Sequence, residues 1–156
     1  MLINQPNMKT RTFIALFVSA VIGSAFAAPP AGPQLTVDVE RLVSVYANLR
    51  NAEQMATGGV VLSSDDVKTA ARAMSADALK KECGMSVDRT LAAISSGPTD
   101  RRPETHAYLK NAALRLIYNR EERHGGHADW AKDNRDKVSA LIRKEAKEIK
   151  EALAKL

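Results

Sequence analysis

From Leu35 onward the apolar residues recur with a helical period while polar residues fill the opposite face. Leu35, Val39, Leu42, Tyr46, Leu49 and Ala56 are spaced 4-3-4-3 and then 7, which predicts a first helix that Gly58-Gly59 stops. Thr36 is placed to cap it, and Asp38 and Glu40 sit near the positive end of its dipole. Glu53 falls on the stripe, which is read as turning onto Ala52 and Met55, so no chemistry is assigned to this carboxylate.

Val67, Ala70, Ala71, Met74 and Ala78 keep the helical period behind a capping-box pattern at Ser63 and Asp66, predicting a second helix. Its phase slips at Ser75-Ala76-Asp77, where Asp77-Ala78-Leu79 is placed to start a separate turn, and Gly84 is expected to close either version. Ser86 then caps a segment of about two turns carrying Val87, Leu91 and Ile94. Ser95 to Pro103 reads as a loop. Pro103 suits the first turn of the next helix, whose stripe is Leu109, Ala112, Ala113, Leu116 and Ile117 and whose end is expected near His124, at Gly125-Gly126. The last helix is expected from Ala128 or Asp129, with Val138, Ile142, Ala146, Ile149, Leu153 and Leu156 on one face. No stretch sustains a period of two. The expected fold class is all-α, a small bundle of four to five helices with antiparallel neighbours.

The residues before this domain change the picture of where it works. Lys9 and Arg11, an apolar run from Phe13 through Ile22 and the small-x-small ending Ala25-Phe26-Ala27 read as a signal peptide over residues 1–27, cleaved after Ala27. The run is too short for a permanent membrane anchor. A Pro-rich leader over 28–34 and a single helical domain over 35–156 follow, the product being periplasmic or secreted. Losing Lys9 and Arg11 lowers the formal charge from +5 to +3, a mild excess concentrated between Lys132 and Lys155, which gives no reason to expect nucleic-acid binding. Cys83 is the one cysteine, so no internal disulfide is available; it reads as a half-buried structural thiol near a helix end.

Candidate chemistry is densest at Arg120-Glu121-Glu122-Arg123-His124-Gly125-Gly126-His127-Ala128-Asp129-Trp130. His124, His127 and Asp129 offer two imidazoles and a carboxylate for Zn, Cu or Ni, with His106, Glu121, Glu122 or water completing the set. The plainer reading makes Gly125 a left-handed helix stop, His124 a dipole partner and Asp129 the cap of the next helix. Arg101, Arg102, Arg115, Arg120 and Arg123 flank the fourth helix, suited either to an acidic partner or to local pairing with Glu104, Glu121 and Glu122. No G-x-S-x-G elbow, P-loop, dinucleotide fingerprint or haem-attachment motif is present, so neither an enzyme class nor a cofactor is expected. The expected function is binding of a protein partner in the cell envelope, as adaptor, inhibitor, immunity-type protein or chaperone, through Arg120, Arg123, His124, His127 and Trp130. A metal-binding protein using His124, His127 and Asp129 is the alternative, and an enzyme of unknown class a second one.

Overall fold

Helices account for nearly all the regular backbone of the computed structural model, which describes residues 37–121 and 125–156, without the side chains of 37–38 and 125–128. The expected signal peptide and leader lie outside the described residues, as do Arg123, His124 and the side chain of His127. Six α-helices are described rather than four to five: α1 (Val37–Thr57), α2 (Ser64–Arg72), α3 (Ala76–Ser96), α4 (Arg102–Tyr118), α5 (Gly125–Asp133) and α6 (Arg135–Ala154). A short 3-10 turn, Thr99–Arg101, precedes α4, and no strand occurs among the described residues.

Gly58 ends α1 as expected, adopting φ 83 while Gly59 N–H donates to the Gln54 carbonyl at 2.8 Å. The capping box at Ser63 does not form; its side chain makes no cap hydrogen bond. Ser75 is the working cap, its hydroxyl accepting from Ala78 N–H at 3.2 Å, so the slip in phase there is a true break between α2 and α3. Gly84, by contrast, closes nothing. It lies inside α3, where a glycine costs roughly 1 kcal/mol of propensity that the packed faces on either side override. Ser86, expected as a cap, is buried in mid-helix.

The expected end of the fourth helix is also moved. Asn119, not Gly125, takes the left-handed conformation with φ 50, and Arg120 N–H donates back to the Leu114 carbonyl at 3.2 Å. Gly125 instead opens α5, Asp129 lies inside that helix rather than capping one, and Asn134 separates α5 from α6.

Side-chain partnerships give the helix directions. Tyr46 faces Glu82 and Cys83, Glu53 meets Ser86 and Arg89, and Gly97 lies against the Ala56 carbonyl, so α1 and α3 run parallel. The short α2 carries the chain back between them, with Leu62 N–H on Asn51 and Arg72 on Glu40. The second half repeats the plan. Arg102 bonds Ser139, His106 bonds Glu145, and Leu116 to Tyr118 share a cleft with Glu148 to Lys155, so α4 and α6 are parallel and α5 is the return. The helices that follow one another within each half are thus antiparallel, as expected, and it is the two long helices flanking each short one that run parallel; across the halves α1 is antiparallel to α4 and α3 to α6.

Because α2, α3 and α4 all pack on α1, that helix is buried around most of its circumference: Leu42, Val43, Val45, Tyr46, Ala47, Leu49, Ala52 and Ala56 are all core. The expected α6 stripe is buried from Val138 to Leu153, but Leu156 is exposed beyond the helix end, and Ile117 is likewise turned out of the α4 stripe.

Candidate functional site

The polar-rich corner after α4 is organised from beneath by α4 and α6. α5 carries the chain back along α4 until Trp130 lies over His106, ring centroids 6.1 Å apart and planes tilted by 40°. His106 is buried and its Nε2 is 3.0 Å from Oε1 of Glu145 on α6, with side-chain exposures of 4% and 13%. The carboxylate accepts from Nε2–H, which leaves Nδ1 on the far side of the ring. That Nδ1 and the second oxygen of Glu145 are buried with no hydrogen-bond partner among the described residues. Beside them Arg102 donates to Ser139 Oγ at 2.9 Å and to the Ile94 carbonyl at 3.2 Å, tying the start of α4 to α6 and to the end of α3.

An imidazole oriented by a carboxylate is the arrangement of a general base, but catalysis also needs a nucleophile and access for substrate. Here the ring is enclosed in the packed interior between α4 and α6 and covered by Trp130, so the pair's direct effect is to hold two helices and an indole in fixed relation. Trp130 remains 42% exposed, presenting one side of its ring to solvent. At the other end of α4, Ile117, Tyr118 and Arg120 are exposed.

Of the residues singled out in the sequence, Arg120, Asp129 and Trp130 are exposed, but Arg120 follows the end of α4 whereas Trp130 lies beside His106 near its start. The set His124, His127 and Asp129 cannot be assembled, two of its side chains lying outside the described residues; among those described, no group of three His, Cys, Asp or Glu is arranged to hold a metal. The flanking arginines divide by local geometry: Arg102 is tied down as above, Arg101 lies against Gly58, and Arg115 pairs with Glu121.

His106 entered the sequence reading only as a possible completing metal ligand and Glu145 not at all, yet both fall in phase with apolar stripes, His106 three residues before Leu109 and Glu145 three after Ile142. Glu53 is the third such case, and the largest correction to the reading of α1. It is buried at the centre of a cluster in which Arg50 Nη1 lies 2.7 Å from Oε2, Ser86 Oγ donates to Oε2 at 2.8 Å and Arg89 Nε donates to Oε1 at 2.8 Å. Both carboxylate oxygens are partnered, which marks a structural hub. Cys83, one turn along α3, is fully buried rather than half-buried, and burial pushes its thiol up to about 12, so it carries no thiolate at neutral pH.

No protein-family model matches this chain, and no curated protein or solved structure is significantly similar to it.

Proposed function

We propose that this chain is an exported helical protein that acts by binding a protein partner in the cell envelope, as adaptor, inhibitor, immunity-type protein or chaperone, and that the α4–α5 corner is its binding surface. One observation carries the reading: Trp130 is 42% exposed while the other side of the residue rests against His106, itself buried and paired with Glu145. A large aromatic ring presented rigidly to solvent loses little conformational freedom on binding, and tryptophan is among the residues that dominate interface energetics. Arg120, with Arg123 beside it in sequence, supplies forked donors for carboxylates on the partner. Export comes from the N-terminal pattern, and among the described residues no helix is long and apolar enough to cross a membrane.

The test is affinity capture from envelope extract with the mature chain, followed by measurement of the purified pair. Trp130→Ala is expected to weaken the complex by about 2 kcal/mol or more, roughly thirtyfold, while leaving the helical circular-dichroism spectrum intact. A partner held equally by wild type and Trp130→Ala, or no specific partner for either, overturns the assignment.

A further inference from the structure

Away from that corner, three helices turn polar faces toward one another where a bundle of this size ordinarily places apolar contacts. Ser44 and Asn48 on α1, Ser64 and Lys68 on α2, and Asn111 and Arg115 on α4 line a single cleft of roughly 160 Å³. Each helix contributes a pair spaced i, i+4, so the six side chains come from one face of each helix rather than from chance surface neighbours. The cleft opens to solvent at Ser64 and Glu121 and deepens towards Asn111, with Asn48 Nδ2 donating to the Ser44 carbonyl on its wall. Asn111 is buried, and Arg115 is sufficiently enclosed that burial holds its guanidinium below the ordinary arginine value.

The charges define the ligand. Lys68 and Arg115 are two cations in a space whose lining includes one carboxylate, Glu121, and Glu121 is paired with Arg115. That glutamate is not part of a helix. It sits in the segment after the Asn119 stop, and two-thirds of its side chain is exposed to solvent. Asp65 and Asp66, on the first turn of α2, are exposed and line no part of the cleft. The remaining lining is hydroxyl and carboxamide, groups that bond hydroxyls as readily as carboxylates. The space corresponds to about five water molecules at ~30 Å³ each, the scale of a small solute rather than a peptide.

We propose that the cleft between α1, α2 and α4 binds a small hydroxy-carboxylate, held by Arg115 and Lys68, and that the Glu121 carboxylate is an internal stand-in which the ligand displaces. Arg115 takes the carboxylate in place of Glu121, Lys68 neutralises a second acidic group, and Ser44, Asn48 and Ser64 bond the hydroxyls. Displacement is cheap because Glu121 moves outward into water without disturbing a helix. The cleft lies away from Trp130, although Glu121 adjoins Arg120 in the chain, and neither proposal depends on the other.

Malate is the probe and inorganic phosphate the comparison, each titrated into the full mature chain by calorimetry, with amide chemical shifts to locate the site. Saturable malate binding is expected, with shifts centred on Asn48, Lys68 and Asn111. Arg115→Gln is expected to weaken it by at least about tenfold, the worth of a charge-assisted pair of hydrogen bonds. Lys68→Gln, on the short α2, weakens it as well and serves as the second variant if Arg115→Gln unfolds. Glu121→Gln is expected to strengthen binding several-fold, an outcome that damage to the fold does not produce. Absence of malate binding at millimolar concentration in both wild type and Glu121→Gln overturns the proposal, as does binding indifferent to both Arg115→Gln and Lys68→Gln. Phosphate binding as tightly as malate overturns the carboxylate assignment.

Discussion

At Glu53 the side chain and its surroundings were separable problems. A carboxylate on an apolar stripe is visible in sequence, but the groups that make it tolerable are Arg50 on its own helix and Ser86 and Arg89 more than thirty residues away. Removing the carboxylate leaves two guanidinium groups converging on an empty position, although both reach water. Glu53→Ala is therefore expected to cost about 2–3 kcal/mol in denaturant unfolding, somewhat below the loss for a fully sealed pair, and a loss under about 0.5 kcal/mol would show the hub to be dispensable. Cys83 makes a prediction of opposite character. Its thiol ionises near 9.0 when unfolded and at about 12 when folded, so the native state keeps a proton that the unfolded chain gives up. The resulting stabilisation is complete below about pH 9 and drains away as pH rises towards 12, by at most about 1.4 kcal/mol per pH unit. The buried Tyr46 phenol, also raised, adds to the loss above about pH 10. Unfolding curves from about pH 8 to pH 11 should fall more gently in Cys83→Ala than in wild type, and a thiol reagent should label the native chain only after denaturation.

At the scale of elements, the helical stripes were legible wherever a helix has one buried face. α6 shows this best, with Val138, Ile142, Ala146, Ile149 and Leu153 all buried as their spacing implies. The ends were less legible, because glycine in a sequence is a stop only where the backbone turns left-handed. Gly58 does so; Gly84 remains inside α3, and a Cβ built on it meets nothing within 4 Å. Gly84→Ala should accordingly stabilise the protein by about 0.5–1 kcal/mol, raising the melting temperature. Asn119→Ala should do the reverse, by about 1 kcal/mol, since alanine at φ 50 lacks the tolerance of asparagine for the left-handed region, whereas Asn119→Gly should be neutral or better. A melt in which Gly84→Ala destabilises would mean that the glycine serves a close approach absent from the fold described above.

For the molecule as a whole, two long–short–long helical units meet chiefly through α1 and α4, and each half is too small to bury the faces it presents to the other. Cutting the chain between Gly97 and Pro98 should give fragments with weak helical spectra alone that regain native helicity and a cooperative melt when mixed. A fragment that melts cooperatively alone would show that the α1–α4 seam is not what holds its helices. The same arrangement sets Trp130, beside the start of α4, apart from the cleft that Asn111, Arg115 and Glu121 line towards its end.

What the sequence by itself determined was the helical class and the identity of most core positions. Periodicity is a local property, and burial of one face follows from it whatever the neighbour is. The tertiary structure alone decided which breaks in period were ends, that the two long helices within each half run parallel, and which groups Glu53, His106 and Glu145 meet. It also brought Lys68 to Arg115. The reason is physical: an interruption in a stripe announces a buried polar group, but its hydrogen-bond partner comes from another helix, and only packing sets that pairing.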